Sequence, residues 1–368
     1  MTEGAGAVLT VDLDAIVRNW RTIGQRLAPG CHVAAVVKAD GYGLGALPVA
    51  RALRASGCMR FFVATLDEGI ALRSAVDDAE IIVLNGLIAA EAAEFHRHAL
   101  IPLLASLEQA SAWRDFAVGL RRKLPAALQV DTGMSRLGLN RTDIGMLIVQ
   151  SVFAQAVEVM LIVSHLACAD EPGHPLNRRQ LDQFNAQRRL FPGVAASIAA
   201  SSGIFLGPDW HADWVRPGAA LYGINPTPSA ANPMAPVVRL QARILQVRDI
   251  DAGESVGYGA THQAVGPTRL AVVAIGYADG VFRSLGNRGH GHIGDKRVPV
   301  VGRVSMDLTI FDVTGLADSE INTGTMIDLI GPQNPIDDVA ARAGTIGYEI
   351  LTSLGPRLRR HYLSDHPA

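Results

Sequence analysis

Lysine is scarce in this chain, and one of its three lysines stands where it could do chemistry. Lys38 ends an apolar run that starts at Ala34, and a glycine-rich stretch with Asp40 and Tyr42 follows it. A primary amine can lose its proton and condense with an aldehyde, whereas a guanidinium keeps its charge and cannot. A lysine at a strand end can also simply extend from the core into water. The adjacent glycines favour a binding site, because they let the backbone approach a ligand closely.

Other residues that could bind a ligand through polar side chains or backbone amides follow apolar runs of strand length farther along the chain. They are Asp131, Arg136, His165, Ser201, Ser202, Gly203, Arg216, Gly218 and Ala219. With Lys38 they suit a phosphorylated aldehyde, because the lysine would form the imine while hydroxyls and backbone amides would hold the phosphate. We therefore expect pyridoxal phosphate as the cofactor. No metal site is expected, since the histidines lack ligand spacing and His290 and His292 fall in a glycine-rich turn.

The pattern of the first part of the chain predicts how these residues would meet. Apolar runs of strand length alternate with amphipathic segments of helical length, and the runs fall near 33–38, 61–65, 81–85, 100–105, 127–131, 159–165, 196–201 and 214–221. Alternation predicts parallel strands joined by helices. Eight units in about 225 residues predict a (β/α)8 TIM-type barrel, in which active sites lie at the carboxyl ends of the strands. An open doubly wound sheet is the alternative, but no dinucleotide glycine fingerprint follows the first strand.

A proline-rich segment divides the chain. Residues 225–236 contain four prolines and no periodicity, which is typical of a linker. We expect a barrel over 1–226, a linker over 227–236 and a mostly antiparallel β domain over 237–368. One helix is predicted over 336–354, and the basic residues of 357–360 are interpreted as a solvated tail.

Composition narrows the class of protein. The 368 residues are 49% hydrophobic, enough for a sizeable core, and the net charge of −2 gives no reason to expect nucleic acid or an anionic membrane as a partner. The three cysteines indicate reduced thiols. No basic patch followed by an apolar stretch begins the sequence, so a cytoplasmic location is expected.

Eight motifs resemble those of the alanine racemase family and follow the family's order along nearly the whole chain. They are AVVKADGYG at 35–43, DTGMSRLG at 131–138, SHLA at 164–167, RPGAALYG at 216–223, VGYGAT at 256–261, IGYADG at 275–280, GRVSMD at 302–307 and GYE at 347–349. The resemblance implies a pyridoxal-phosphate-dependent racemase that interconverts L-alanine and D-alanine. It also implies a homodimer in which each subunit completes its partner's site.

The resemblance also implies roles for single residues. Lys38 would hold the cofactor and act as the base on one face of the substrate α-carbon. Tyr258, supplied by the partner subunit, would act on the opposite face. Arg216 would face the pyridine nitrogen and leave it unprotonated, which makes the ring a weaker electron sink, and His165 would link this arginine towards the tyrosine.

Further residues would hold the phosphate and the substrate. The expected phosphate group is Tyr42, Ser202, Gly218, Ala219 and Tyr348. Arg136 would face the phenolic oxygen of the cofactor and the substrate carboxylate, which Met306 would also help to hold. Tyr277 and Asp307 would narrow the opening to small side chains.

One position departs from the family. Many members carry a lysine, modified to a carbamate that positions the arginine, two residues before the DTG motif, and this chain has Gln129 there. Glutamine cannot be carbamylated. We expect Arg136 to be held instead by the neutral amide of Gln129 or by a bound anion such as chloride.

Three other functions fit part of the pattern. A pyridoxal-phosphate decarboxylase shares the barrel-plus-sheet plan, but it would need an acidic partner for the pyridine nitrogen where this chain has Arg216. A single-barrel cofactor carrier would lack the second domain and Tyr258. A racemase for serine or for a broader set of amino acids is not separated by motif alone. The sequence also leaves open whether D-alanine is made for a cell wall or degraded.

Overall fold

The computed structural model describes residues 5–364. The strands, in chain order, are β1 (Ala7–Asp12), β2 (His32–Val33), β3 (Ala35–Val36), β4 (Arg60–Val63), β5 (Glu80–Val83), β6 (Leu100–Leu104), β7 (Leu124–Gln129), β8 (Val157–Val163), β9 (Ala195–Ser197), β10 (Trp214–Val215), β11 (Val238–Ile250), β12 (Ser255–Val256), β13 (His262–Gln263), β14 (Thr268–Val273), β15 (His290–Ile293), β16 (Lys296–Pro299), β17 (Thr309–Asp312), β18 (Met326–Ile330) and β19 (Arg359–Leu363).

The helical segments are α1 (Leu13–Gly24), α2 (Lys38–Tyr42), α3 (Ala46–Ala55), α4 (Leu66–Arg73), α5 (Ala92–Arg97), α6 (Leu107–Leu120), α7 (Arg141–Ile148), α8 (Ser151–Ala156), α9 (Pro175–Arg188), α10 (Ser201–Ile204), α11 (Ile336–Ala343) and α12 (Gly347–Thr352). Side chains fix the starts of several helices. The carboxylate of Asp12 accepts the amide of Ala15 at the start of α1 (2.7 Å), and Thr65 with Glu68 forms a capping box on α4.

The first region is a parallel barrel. Strands β3 to β9 pair side by side in chain order. Strand β10 joins both free edges, because the amide of Ala34 donates to Val215 O (3.0 Å) and the amide of Arg216 donates to Ala199 O (2.9 Å). Strands such as β4 and β6 are buried along their whole length, as parallel strands covered on both faces require. The predicted barrel is confirmed, with strand ends shifted by a few residues.

The second region is a mostly antiparallel sheet, as predicted. Its strands lie in the order β16-β15-β18-β11-β1-β19, and β14 and β17 extend it from β11. Strand β1 belongs to this sheet, since it pairs antiparallel with β11 and parallel with β19. The described part of the chain therefore passes from the antiparallel sheet, at β1, through the barrel and back to the sheet. The predicted domain boundaries stay a prediction.

Two expectations for the carboxyl-terminal part are wrong. The single helix over 336–354 is two helices, α11 and α12, because Gly344 ends the first in a left-handed conformation (φ 77°). The basic residues of 357–360 are not a solvated tail, because two of the three arginines bind other parts of the fold and, among the described residues, only Arg359 is exposed without such a contact. Arg357 forms an ion pair with Asp279, and the guanidinium of Arg360 donates to Gly43 O (2.9 Å). None of the helices in residues 5–364 has the length and apolarity needed to cross a membrane.

Candidate active site

A large cavity of about 1350 Å³ opens at the carboxyl ends of the barrel strands. Nine of the residues expected to hold a cofactor line it: Lys38, Tyr42, Arg136, His165, Ser202, Arg216, Gly218, Ala219 and Tyr348. Eight of them come from the barrel region, and Tyr348 comes from α12 in the second region. Convergence of strand ends explains the first eight, because parallel strands in a closed barrel all end at one face. Tyr348 reaches the cavity only because α12 packs across the mouth.

Lys38 begins a left-handed turn. Ala39, Asp40 and Gly41 have φ between 52° and 61° with ψ between 44° and 50°, and Tyr42 has φ 57°. Residues with a Cβ lose about 1–2 kcal/mol each in this conformation, so the surroundings must hold the turn in place. The carboxylate of Glu68 accepts the amide of Ala39 (2.7 Å), and that of Asp40 accepts the amide of Ala46 (2.8 Å). The turn directs the residues on either side of it, Lys38 and Tyr42, to the same cavity.

The amine of Lys38 lies in a cationic environment. Burial lowers its pKa below the ordinary value, and the charges of Arg136 and Arg216 lower it further, while Glu68 acts in the opposite direction. A lower pKa increases the fraction of neutral amine near pH 7, which is the form that attacks an aldehyde.

Arg216 is buried and held by neutral partners. Its guanidinium donates to Ser197 Oγ (2.6 Å), to Ser164 O (2.7 Å) and to His165 Nδ1 (3.3 Å). Burial lowers the pKa of Arg216 to about 10, which leaves it protonated at neutral pH. Burial, followed by the charges of Arg216, Arg136 and Lys38, lowers the pKa of His165 to about 3, so the imidazole stays neutral. Nδ1 accepts from the guanidinium, since arginine offers only donors.

A polar network that the sequence did not reveal supports this arrangement. Gln180, on α9, donates to His165 O (2.9 Å) and to Thr132 Oγ1 (3.3 Å). Thr132 Oγ1 and Ser164 Oγ lie 2.8 Å apart, and Ser164 Oγ donates to Val130 O (2.9 Å). The network joins the ends of β7 and β8. Thr132, Ser164 and His165 lie inside recognised motifs, but nothing in the sequence marks Gln180 as their partner.

Arg136 lies on a loop that Asp131 organises. Asp131 Oδ1 accepts the amides of Gly133 (2.9 Å), Met134 (3.1 Å) and Ser135 (3.2 Å). Across residues 5–364, no hydrogen bond joins the side chains of Arg136 and Gln129, although both line the cavity. The structure thus gives no support to the amide alternative, and the anion alternative stays a prediction.

A small cradle lies between α10 and the turn that follows β10. Ser201 Oγ accepts the amides of Gly218 and Ala220, each at 3.1 Å, and so shapes this turn. A Cβ at position 218 would lie 2.1 Å from the hydroxyl oxygen of Tyr42, so only glycine fits there. The Tyr42 ring lies 4.6 Å from that of Tyr222, measured between centroids. Tyr222 is a supporting residue to which the sequence gave no role. Ser201 was expected among the groups that hold the phosphate, and its hydroxyl oxygen also accepts the two amides of this turn.

Four expected site residues lie outside the cavity. Tyr258, Tyr277 and Met306, which we call the turn face, are 72%, 43% and 53% exposed, and Asp307 is also exposed. They share one surface, because the turns that carry Tyr258 and Tyr277 both border the segment 303–306. A single chain therefore does not bring Tyr258 to Lys38.

The fold and cavity define a class: a two-region protein in which a lysine amine lies in a cavity at the mouth of a barrel. Comparison with known proteins specifies the class further. The alanine racemase N-terminal domain model matches residues 11–226, and the alanine racemase C-terminal domain model matches residues 237–362. The chain belongs to the alanine racemase family, and the resemblance read from its motifs is confirmed.

Individual relatives cover almost the whole chain. An alanine racemase from Rhodospirillum rubrum is 51% identical over 359 residues, which are 97% of this chain and 96% of the relative. A catabolic alanine racemase from Mesorhizobium japonicum is 49% identical over 98% of this chain and 94% of the relative. The crystal structure of the alanine racemase from Bartonella henselae, with covalently bound pyridoxal phosphate, matches with a TM-score of 0.93 and 41% identity, over 98% of this chain and 100% of that one.

Proposed function

We propose that this chain is a pyridoxal-phosphate-dependent racemase that interconverts L-alanine and D-alanine in the cytoplasm, as a homodimer. The observation that carries the proposal is the cavity at the barrel mouth, where Lys38, Arg136 and Arg216 meet. The family membership and the relatives named alanine racemase support the same reaction. We retain the division into a barrel over 1–226, a linker over 227–236 and a β domain over 237–368.

The residues of the cavity fit pyridoxal phosphate. Within residues 5–364 the side chains of Lys38, Tyr42, Arg136, Ser202 and Tyr348 line the cavity and make no hydrogen bond to protein. Their cationic and hydroxyl groups are donors for an anionic phosphate and a phenolic oxygen. When bound, the cofactor would supply an aldehyde for the amine and a ring that accepts electrons released at the substrate α-carbon.

The phosphate would lie in the cradle beside the turn after β10. Ser202 and the hydroxyls of Tyr42 and Tyr348 would donate to it, with the backbone of Gly218 and Ala219 close by. Arg136 would face the phenolic oxygen and the carboxylate of the substrate. An anion beside Gln129 would fix the orientation of that guanidinium, because no protein group bonds to it in the part of the chain described.

Lys38 would remove or return a proton on one face of the α-carbon. Burial and two neighbouring arginines lower the pKa of this amine, which favours the neutral form that acts as a base. Arg216 would point a charged N–H at the pyridine nitrogen and keep that nitrogen unprotonated. His165, neutral and bonded to Arg216, would hold the guanidinium in this orientation. A weaker electron sink favours return of the proton to the same carbon.

The second proton carrier would be Tyr258 of the partner subunit. Its 72% exposure supports this role, since a tyrosine that one chain leaves in solvent is free to enter another chain's cavity. Met306 of the turn face would help to hold the substrate carboxylate, while Tyr277 and Asp307 would narrow the opening. Racemisation requires proton carriers on opposite faces, which two subunits can supply from opposite sides.

Chiral separation of products tests the proposal. Purified protein with pyridoxal phosphate would be incubated with separate L-amino acids, and the enantiomers resolved on a chiral column. L-alanine should be converted to an equal mixture of enantiomers, with slower or no conversion of larger side chains. Equal rates for L-serine or larger substrates would assign a broad-specificity racemase, and release of carbon dioxide would assign a decarboxylase.

A further inference from the structure

Arg357 lies in the basic segment that the sequence predicted to be solvated, yet it makes three hydrogen bonds to two carboxylates. Nε donates to Asp279 Oδ1 (2.8 Å) and Nη2 to Asp279 Oδ2 (2.8 Å). Nη1 donates to Asp307 Oδ1 (2.7 Å). The bond to Asp279 is bidentate, which fixes the plane of the guanidinium as well as its position. Lysine cannot reproduce this geometry.

The two carboxylates belong to the turns that carry Tyr277 and Met306. Asp279 is buried, and its Oδ2 also accepts the amide of Gly276 (2.9 Å). The amide of Tyr277 donates to Ser305 O (3.0 Å), and a Cβ at Gly276 would lie 2.3 Å from Met306 O. The backbones of the two turns are thus in direct contact.

Arg357 connects these turns to the carboxyl-terminal segment. The amide of Gly355 donates to Asp279 O (3.2 Å), and a Cβ at Gly280 would lie 2.6 Å from Ser353 O. Removal of the guanidinium would leave Asp279 as a buried carboxylate without its cation, and Asp307 would lose its ion pair. The two turns would then become less rigid beside Tyr277 and Met306.

We propose that Arg357 is a positioning residue that fixes Tyr277 and Met306 and thereby sets the substrate affinity of the partner subunit's site. This inference rests on the proposed function, because it requires the turn face to enter the partner's cavity. Arg357 touches neither substrate nor cofactor in this scheme. It acts only through the two turns.

Substitution of Arg357 tests the role against a matched control. Arg357→Gln should raise KM for alanine and lower kcat/KM by about 10–100-fold, since small misplacements of binding groups cost that much. Cofactor absorbance and the far-UV spectrum should be unchanged, because the barrel cavity is intact. Arg357→Lys should restore part of the loss. Arg359→Gln is the control, since Arg359 is exposed on β19 and makes no ion pair or side-chain hydrogen bond within residues 5–364.

A second variant covers the case in which Arg357→Gln does not fold. Asp307→Asn removes only the exposed arm of the contact and should raise KM less. The double variant Asp307→Asn with Arg357→Lys should be less impaired than the two single effects combined, since both changes disturb one contact. Kinetic constants for Arg357→Gln equal to those of Arg359→Gln, or fully additive effects in the double variant, would overturn the proposal.

Mixed dimers show which site Arg357 serves. A dimer of one Lys38→Ala chain and one Arg357→Gln chain, isolated with two affinity tags, keeps one site with Lys38 from one chain and an intact turn face from the other. It should show the KM of the unmodified enzyme at about half its rate, because one of two sites works. A KM equal to that of the Arg357→Gln dimer would overturn the assignment to the partner's site.

Failure of the proposed function would be visible separately. Unmodified protein that does not racemise alanine removes the proposed function before any variant is compared. A mixed dimer of Lys38→Ala and Tyr258→Phe chains should regain activity if sites are shared between subunits. If it stays inactive while the unmodified protein racemises, the shared site is wrong, and Arg357 has no partner site to serve.

Discussion

The barrel mouth and the turn face differ in how completely one chain builds them. At the barrel mouth, nine expected residues line one cavity, and buried hydrogen bonds hold groups such as Arg216 and His165 in place. On the turn face, the backbone is fixed by Arg357 and by contacts between turns, but the side chains of Tyr258, Tyr277 and Met306 extend into solvent. The first region encloses a cavity that a small ligand can enter, and the second presents exposed side chains that would meet a partner subunit in the proposed dimer.

The positions of the side chains are fixed in different ways at the barrel mouth and on the turn face. Strand ends in a barrel converge on one face whatever residues occupy them, so a single chain brings Lys38, His165 and Arg216 together. Turns of an antiparallel sheet point outward, and only another molecule can give their side chains a shared cavity. Substitutions in the two regions should therefore impair different properties, namely cofactor binding at the barrel mouth and turnover or substrate affinity on the turn face.

The largest effect is expected at Lys38. Lys38→Ala removes both the cofactor anchor and one proton carrier, so turnover should fall by about 10⁴-fold or more. The visible absorbance of bound cofactor should disappear with it. Retention of that absorbance in the purified variant would contradict the assignment of Lys38 and with it the role of the barrel mouth.

The next largest effect is expected at Tyr258, and it should differ in kind from the effect at the barrel mouth. Tyr258→Phe removes one proton carrier only, so turnover should fall by about 10²–10⁴-fold while cofactor absorbance is kept. Activity is measured by coupling D-alanine formation to its oxidation. Undiminished turnover would rule out the two-base scheme and would leave the exposed tyrosine as an ordinary turn residue.

A smaller effect is expected from crowding the cradle. Gly218→Ala places a Cβ 2.1 Å from the Tyr42 hydroxyl, and such overpacking costs about 1–3 kcal/mol, so cofactor affinity should fall about tenfold or more. Titration of the visible absorbance measures it. Gly119→Ala is the control, since no atom lies within 4 Å of its Cβ position on α6, and stability to urea should rise by about 0.5–1 kcal/mol.

The smallest effect concerns pH and the buried histidine of the barrel. The pKa of His165 falls from its ordinary 6.5 to about 3 on folding, so between these values the unfolded chain binds a proton that the folded chain does not. Stability from this group is complete above pH 6.5 and declines as pH falls, by at most about 1.4 kcal/mol per pH unit. His165→Gln should flatten the decline between pH 6.5 and 5 in urea titrations. Part of the slope should remain, because burial lowers the pKa of His290 to about 4 and also lowers the pKa of His292. An unchanged slope would contradict the buried neutral state.

Local patterns predicted the barrel well and its supports poorly. Lys38 and His165 were placed at strand ends because an apolar run followed by a polar residue carries that information directly. Ser201 was expected at a strand end, but nothing in the sequence showed that it would accept the amides that shape the cradle. Gln180 lies in a helix far along the chain from the residues that it joins. Side chains that support a site from another element leave no trace in local spacing.

The carboxyl-terminal part gives a similar lesson. The sequence predicted a solvated tail at 357–360 because runs of charged residues are usually exposed to solvent. Instead, Arg357 bonds to a carboxylate 78 residues away, and Arg360 bonds to a carbonyl 317 residues away. The same segment becomes β19 only because β1, from the start of the chain, offers it a parallel edge. Pairing over such distances depends on the folded path of the chain.

The sequence by itself determined the strand and helix alternation, the reactive amine at a strand end and the family, since each is written in local pattern and motif order. Only the tertiary structure decided which residues face the cavity, that Tyr258 lies outside it and that the basic segment joins the turn face to the barrel. The physical reason is that periodicity records each element's own burial, while contacts between elements form only when the whole chain closes.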